Sequence, residues 1–126
     1  MPGRNNFPRS ARVTRKAEYD FVFRHGEKVV GRYFICHVAR QEGQGRKLGL
    51  AVSRKVGPAV VRNRIKRLLR EFFRTHQDRL SEDTQVVVVA RPACAGLDFA
   101  GCCVAMTKLF GSVRGATPQE GAPDAR

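Results

Sequence analysis

Tryptophan is absent and tyrosine occurs only twice in the 126 residues. Without exposed Trp or Leu anchors, a chain has little to insert into a membrane surface. Apolar runs are short. Val86–Ala90 is of strand length, and nothing approaches the ~20 apolar residues of a transmembrane helix. The basic start MPGRNNFPRSARVTRK leads into no apolar segment, so it does not read as a secretory signal, and the expected location is the cytoplasm. The cysteines Cys36, Cys94, Cys102 and Cys103 form no C-x-x-C pair, and two of them are adjacent. That spacing suits neither a simple bridge nor a zinc knuckle, so they read as reduced, partly buried thiols. Acids are the other scarcity: 11 Asp and Glu face 24 Lys and Arg, a formal net charge of +13.

Motifs for self-sufficient catalysis are also missing. There is no phosphate-binding G-x-x-x-x-G-K-[ST] loop and no H-E-x-x-H. Asp20, Asp78, Asp83 and Asp98 are scattered, which argues against a two-metal carboxylate site. His25, His37 and His76 lie in separate segments without a paired carboxylate, whereas a two-histidine ribonuclease needs a base and an acid across one phosphate. No catalytic residue and no metal ligand are therefore assigned to the polypeptide. A protein-only ribonuclease using His25 and His37 remains a rival reading.

What is present is a core and a great deal of positive charge. The length fits one compact domain and excludes a large cofactor-binding enzyme. A hydrophobic fraction of 42% argues against wholesale disorder. The charge points to a polyanion partner, with an anionic membrane surface and histone-like packing of DNA as competing readings. Residues 1–13, with Pro, Gly and Arg but no acid, read as a flexible basic arm. Residues 114–126 read as a disordered tail and 14–113 as a single folded domain.

Within that domain Thr14 is a candidate N-cap for a helix running to His25, closed by Gly26. Residues 31–40 and 47–55 read as strands, and the Gly-containing turn between them predicts a hairpin. Val29 and Val30 suggest a short leading strand. Gly57-Pro58 opens a long helix to about Leu80, with Pro58 at the first helical position. Thr84–Ala90 is a buried strand by its continuous valines, ended by Arg91-Pro92. A last helix covers about 97–112. The order α-β-β-α-β-α gives an α+β fold, a small two-layer α/β sandwich.

On a helical wheel, Val61, Ile65, Leu68 and Phe72 share one face, with Leu69 on its flank. Arg62, Lys66, Arg67, Arg70 and Arg74 take the other side, with Asn63 among them. Arg64 lies apart, on the opposite border of the apolar stripe and close in angle to Glu71. Residues 54–74 hold eight basic side chains and one acid. Such a face repels itself unless an anion arrives, and guanidinium forks match phosphate oxygens in pairs. Asn63 can reach a base edge or a ribose hydroxyl. Tyr19 and Phe23, four residues apart, share a helix face and either pack on the sheet or stack unpaired bases. Tyr33, Ile35 and His37 point to one side of their strand, and Arg32, Phe34, Cys36 and Val38 to the other. Ser53, Arg54 and Lys55, at a strand end near the basic helix, are candidates for sugar–phosphate contacts.

The run Val52-Ser53-Arg54-Lys55-Val56-Gly57, followed by Ala59-Val60-Val61-Arg62-Asn63-Arg64-Ile65-Lys66-Arg67-Leu68-Leu69-Arg70-Glu71, resembles the signature of the bacterial ribonuclease P protein subunit. Tyr19, Phe23, His25-Gly26, Arg32, Phe34 and Ala90-Arg91-Pro92 extend the resemblance over roughly 12–112. It implies a ribosomal-protein-like sandwich with an unusual left-handed crossover around the basic helix, against the common hand. It also implies a partner catalytic RNA contacted by Arg62, Asn63, Arg64, Lys66, Arg67 and Arg70. A cleft between the first helix and the sheet would take the single-stranded 5′ leader of precursor tRNA, with Tyr19, Phe23, His37, Ser53, Arg54 and Lys55 as its leader-binding residues. Mg2+ would act on the RNA, and no protein partner or membrane is required. Pro58, Arg54 and His37 depart from the usual Asn, Lys and aromatic residue of that pattern. A general basic RNA-binding or ribosomal protein is the alternative.

Overall fold

The computed structural model describes Arg12 and residues 16–113. The Thr14 cap, the rest of the 1–13 arm and the 114–126 tail lie outside the described residues. Helix α1 (Lys16–His25) leads into strands β1 (Glu27–Val30), β2 (Phe34–Arg40) and β3 (Lys47–Ala51). Helix α2 (Ala59–His76) follows, then β4 (Thr84–Ala90) and α3 (Phe99–Gly111). Gly26 makes the first corner possible. A Cβ there would fall 2.4 Å from the Val22 carbonyl oxygen and 2.9 Å from that of Val38.

The strand order is β1-β2-β4-β3. The α+β class and the short strand at Val29 are as expected, but the pairing is not. The predicted hairpin between the segments 31–40 and 47–55 does not form. β2 instead pairs antiparallel with β1 on one side and with β4 on the other. β3 runs parallel to β4, from Lys47 opposite Gln85 to Ala51 opposite Val89. The physical reason is the valine run. Val86, Val87 and Val88 are each completely buried, which only a central strand covered on both faces allows. β4 therefore takes the centre and separates β2 from β3.

One sheet face carries the main core. Phe34, Cys36, Val86 and Val88 pack against Ile65, Leu69, Phe72 and Phe73 of α2 and Met106 and Phe110 of α3. Phe72 and Phe110 meet edge to face at 5.3 Å and join the two helices. Asp98 caps α3 by accepting from the Gly101 N–H at 2.8 Å. On the other face α1 buries Val22 against Ala39 and Val87. Several boundaries shift from expectation: β2 starts at Phe34, α2 ends at His76 and passes into a 3-10 turn to Arg79, and α3 starts at Phe99. Two further shifts bear on the site. Pro58 is the N-cap of α2 rather than its first residue, its carbonyl accepting from the Arg62 N–H at 3.0 Å. β3 ends at Ala51, so Ser53, Arg54 and Lys55 lie in a turn, closed by Val56 N–H donating to the Ser53 carbonyl.

Candidate nucleic-acid interface

The apolar stripe of α2 is driven into the core by Ile65, Leu69, Phe72 and Phe73, which fixes where its cations point. Phe73 was not among the residues assigned to that stripe, although it stands one turn after Leu69. Asn63 and Arg67 are exposed, and Lys66 is half-buried. Among the described residues neither Lys66 nor Arg67 has a hydrogen-bond or ion-pair partner. Arg62 folds back, Nε donating to the Gly57 carbonyl at 3.1 Å, at the start of the helix. Arg70 is half-buried; burial first, then the nearby Arg12 guanidinium, lower its pKa from the usual arginine range. Arg12 makes a parallel bridge to Leu48 on the edge of β3. Arg12, assigned by sequence to the loose arm, is thus a cation of this surface that sequence reasoning missed.

Arg64 does not join them. Its Nη1 donates to the Leu97 carbonyl at 2.6 Å, and its Nη2 donates to the Ala95 carbonyl. Both acceptors lie where the 3-10 turn Pro92–Gly96 hands over to α3. The resemblance groups six residues on one RNA surface; the geometry groups five and turns the sixth inward. Arg74 is also engaged, its Nε and Nη2 both donating to the carboxylate of Glu71. Ser53, Arg54 and Lys55 are exposed in the turn just before α2.

The second surface lies on the opposite face of the sheet. Phe23 is 43% exposed, far too open for a core residue. Its ring meets His37 edge-on at 4.6 Å and stacks beside Tyr19 at 6.4 Å. Tyr19 is held by its hydroxyl donating to the Leu50 carbonyl at 3.4 Å. The half-buried pair Lys47–Glu18, 2.9 Å apart, ties α1 to the β3 edge. The result is a row of rings, Tyr19–Phe23–His37, along the line where α1 leaves the sheet. Burial, and then the charge of Lys28, lower the pKa of His37. Both causes favour the neutral ring, which suits stacking.

The other two histidines have separate aromatic partners. His25 lies 4.8 Å from the Phe21 ring, and His76 stacks on Phe72 at 4.2 Å. Among the described residues no group of three or more His, Cys, Asp or Glu could hold a metal ion. Also among them, no helix is long and apolar enough to cross a membrane. All four thiols are free, and burial pushes Cys36 and Cys102 up to about 12.

A cationic helix on one face of a small sheet and an aromatic row on the other define a domain built to bind RNA. A family profile described as Ribonuclease P matches residues 7–114. The Ribonuclease P protein component of Halalkalibacterium halodurans is 40% identical over 89 residues, covering 70% of this chain and 75% of that protein. That of Desulfovibrio desulfuricans is 38% identical over 107 residues, covering 82% of each chain. Among solved structures, the Staphylococcus aureus RNase P protein superposes with a TM-score of 0.73 at 26% identity, over 79% of this chain and 92% of that one. The Thermotoga maritima RNase P protein gives 0.74 at 25%, over 82% and 98%. The chain belongs to the ribonuclease P protein component family, and so to the RNA-binding proteins of tRNA processing.

Proposed function

We propose that this chain is the cytoplasmic protein subunit of an RNA-based ribonuclease P and does not itself perform the chemistry. Arg62, Asn63, Lys66, Arg67 and Arg70 bind the catalytic RNA. The row Tyr19–Phe23–His37 takes the single-stranded 5′ leader of precursor tRNA, with Ser53, Arg54 and Lys55 in the turn before α2 on the leader's sugar–phosphate backbone. The observation that carries this reading is the pairing of two unlike surfaces. Lys66 and Arg67 of α2 have no hydrogen-bond or ion-pair partner among the described residues, and a ring as open as Phe23 stands on the α1 side of the sheet.

Each surface has a distinct task. Precursor tRNA and catalytic RNA are both polyanions, and the cationic face screens their repulsion and holds one of them. Stacking on Phe23 and His37 is indifferent to base identity, which suits leaders that differ between tRNAs. Ser53 presents a hydroxyl at the same turn for sugar or phosphate oxygens. Magnesium, coordinated by RNA, supplies the activated water and leaving-group stabilisation for phosphodiester hydrolysis.

The test is cleavage of precursor tRNA at low magnesium with protein alone, catalytic RNA alone, both, and neither. The proposal expects efficient cleavage only from the combination. Cleavage by protein alone would move the catalyst to the polypeptide. No gain over RNA alone would make the chain a general RNA binder.

A further inference from the structure

α2 and α3 pack on the sheet face that carries Phe34, Cys36, Val86 and Val88, and Val29 of β1 borders that core. There a groove of about 620 Å³ runs between α3 and the β1–β2 connection. Its apolar lining has Leu109 buried as a floor, Val29 and Leu97 half-buried beside it, and Val104 at the mouth. Val104 is 71% exposed, and Val30 on the rim is 56% exposed. Cations stand on both banks, Arg32 before β2 and Lys108 on α3, and among the described residues no acid lines the groove. Asp98, next to it, is occupied as the α3 cap. The Arg32 guanidinium lies 5.4 Å from the centre of the Tyr33 ring, also in the wall. Val29 pairs with Cys36, which faces the α2–α3 core, whereas the next strand residue, His37, faces α1. The groove is therefore on the opposite sheet face from the aromatic row.

We propose that this groove receives one unpaired nucleotide of an RNA segment other than the leader. The base lies on the apolar floor beside Tyr33, and the phosphate is held between Arg32 and Lys108. This rests on the RNA-binding reading above and adds a second, independent contact to it. The chemistry on the page selects the occupant. A second copy would bring another +13 against the two cations. An apolar segment would leave both cations unmatched. A nucleotide has an apolar planar face for the floor and ring, and an anion for a guanidinium fork. A volume of this size lies in the range of pockets that bury small ligands.

Full-length, isotope-labelled protein is titrated with AMP, adenosine and ribose 5-phosphate, and amide shifts are read at Val30, Gly101, Val104 and Lys108. A single-stranded r(A)5 titration, read at Phe23 and His37, reports separately on the leader row. The groove amides should respond to AMP at roughly tenfold lower concentration than to either fragment. The double substitution Val104→Asp with Arg32→Ala should abolish that response and leave the r(A)5 response intact. Val104 is exposed enough for this variant to fold. If only the r(A)5 response appears, the groove proposal fails and the RNA-binding reading stands. If Phe23 and His37 ignore r(A)5, it is the leader reading that fails. An equal response to ribose 5-phosphate would reduce the groove to a general anion site. Groove shifts on dilution, on deletion of 114–126, or with an acidic apolar peptide at lower concentration than AMP would assign it to another occupant. The general-anion outcome and any other occupant both overturn the groove proposal.

Discussion

Arg64 and Arg67 are the same residue, one turn apart on one helix, in one sequence motif, and they face different worlds. Arg64 bridges α2 to two carbonyls in front of α3. Arg67 is exposed, with no partner among the described residues. The motif specifies charge, but the border of the apolar stripe on which each cation stands decides whether that charge serves packing or binding. Arg64→Ala should give the largest effect here. Two charge-assisted hydrogen bonds disappear and two carbonyls lose their donor, a loss of about 2–4 kcal/mol. In a domain of this size that lowers Tm by roughly 10–20 °C. Arg67→Ala should leave Tm nearly unchanged and lower the slope of log K against log salt for the catalytic RNA by about one. Thermal melts and salt titrations of both variants would break the contrast if Arg64→Ala melted like the parent.

The same division separates Val22 from Phe23, neighbours on α1. Val22 is buried against Ala39 and Val87; Phe23 stands out beside His37. Phe23→Ala should cost about 1–2 kcal/mol of affinity for precursor tRNA carrying a leader of several nucleotides, roughly tenfold. Mature tRNA should be bound as before. Val22→Ala should instead lower stability by about 1–2 kcal/mol, with the affinity of the folded protein little changed. Equal losses of Phe23→Ala toward precursor and mature tRNA would make Phe23 a packing residue and remove the distinction.

Which of these features the sequence reveals depends on how local their cause is. The stripe of α2, the breaks at Gly26 and Pro58 and the separate position of Arg64 all follow from residues within one or two turns. The strand pairing does not. The segment Gln41–Arg46 has the glycines of a hairpin turn, and Gly43 and Gly45 do adopt positive φ. Yet the loop closes on a distant neighbour. The Asp83 carboxylate accepts from the Gly45 N–H at 2.8 Å, and the Asp83 carbonyl accepts from the Gln41 N–H at 3.0 Å. Turn chemistry reports a bend, not the strand that fills it. The clue was the unbroken valines of β4, whose burial on both faces requires a central place. The facing of Phe23 was equally undecidable from the pattern. A helix ring four residues from another fits a core or a binding row, and only its exposure separates them. Arg12 escaped notice because its bridge to Leu48 joins residues far apart in the chain.

The aromatic row should also respond to acid, because one of its three rings titrates. His37 has its pKa lowered by burial and by Lys28, so the unfolded chain takes up the proton more readily than the native one. The neutral ring's contribution to stability is complete above the ordinary imidazole value of about 6.5 and is lost as pH falls through the lowered native value. Comparing the pH dependence of stability in the parent and His37→Gln isolates that component. The parent should lose more between pH 6.5 and 5 than the variant does. An NMR titration of the His37 ring with a midpoint at or above 6.5 would contradict the desolvated environment.

The smallest effect concerns the single acid on the basic helix. Glu71 binds Arg74 through two hydrogen bonds, Nε to Oε1 at 3.2 Å and Nη2 to Oε2 at 2.5 Å, in the open. That pairing, Arg74's hydrogen bond first, holds the Glu71 carboxyl below its ordinary value. An exposed pair of this kind does little for folding, so Glu71→Gln should leave Tm unchanged within error. Its consequence is electrostatic: removing the carboxylate releases Arg74 and leaves all eight cations of 54–74 unopposed by an acid in that segment. If Arg74 belongs with Arg67 on the RNA side, the salt slope should steepen by up to about one and the affinity at low salt should rise. If it belongs with Arg64 on the protein side, neither should move. Glu71→Gln thus extends the comparison between Arg64 and Arg67 to the last cation of the helix, and an unchanged slope would end the RNA surface at Arg70.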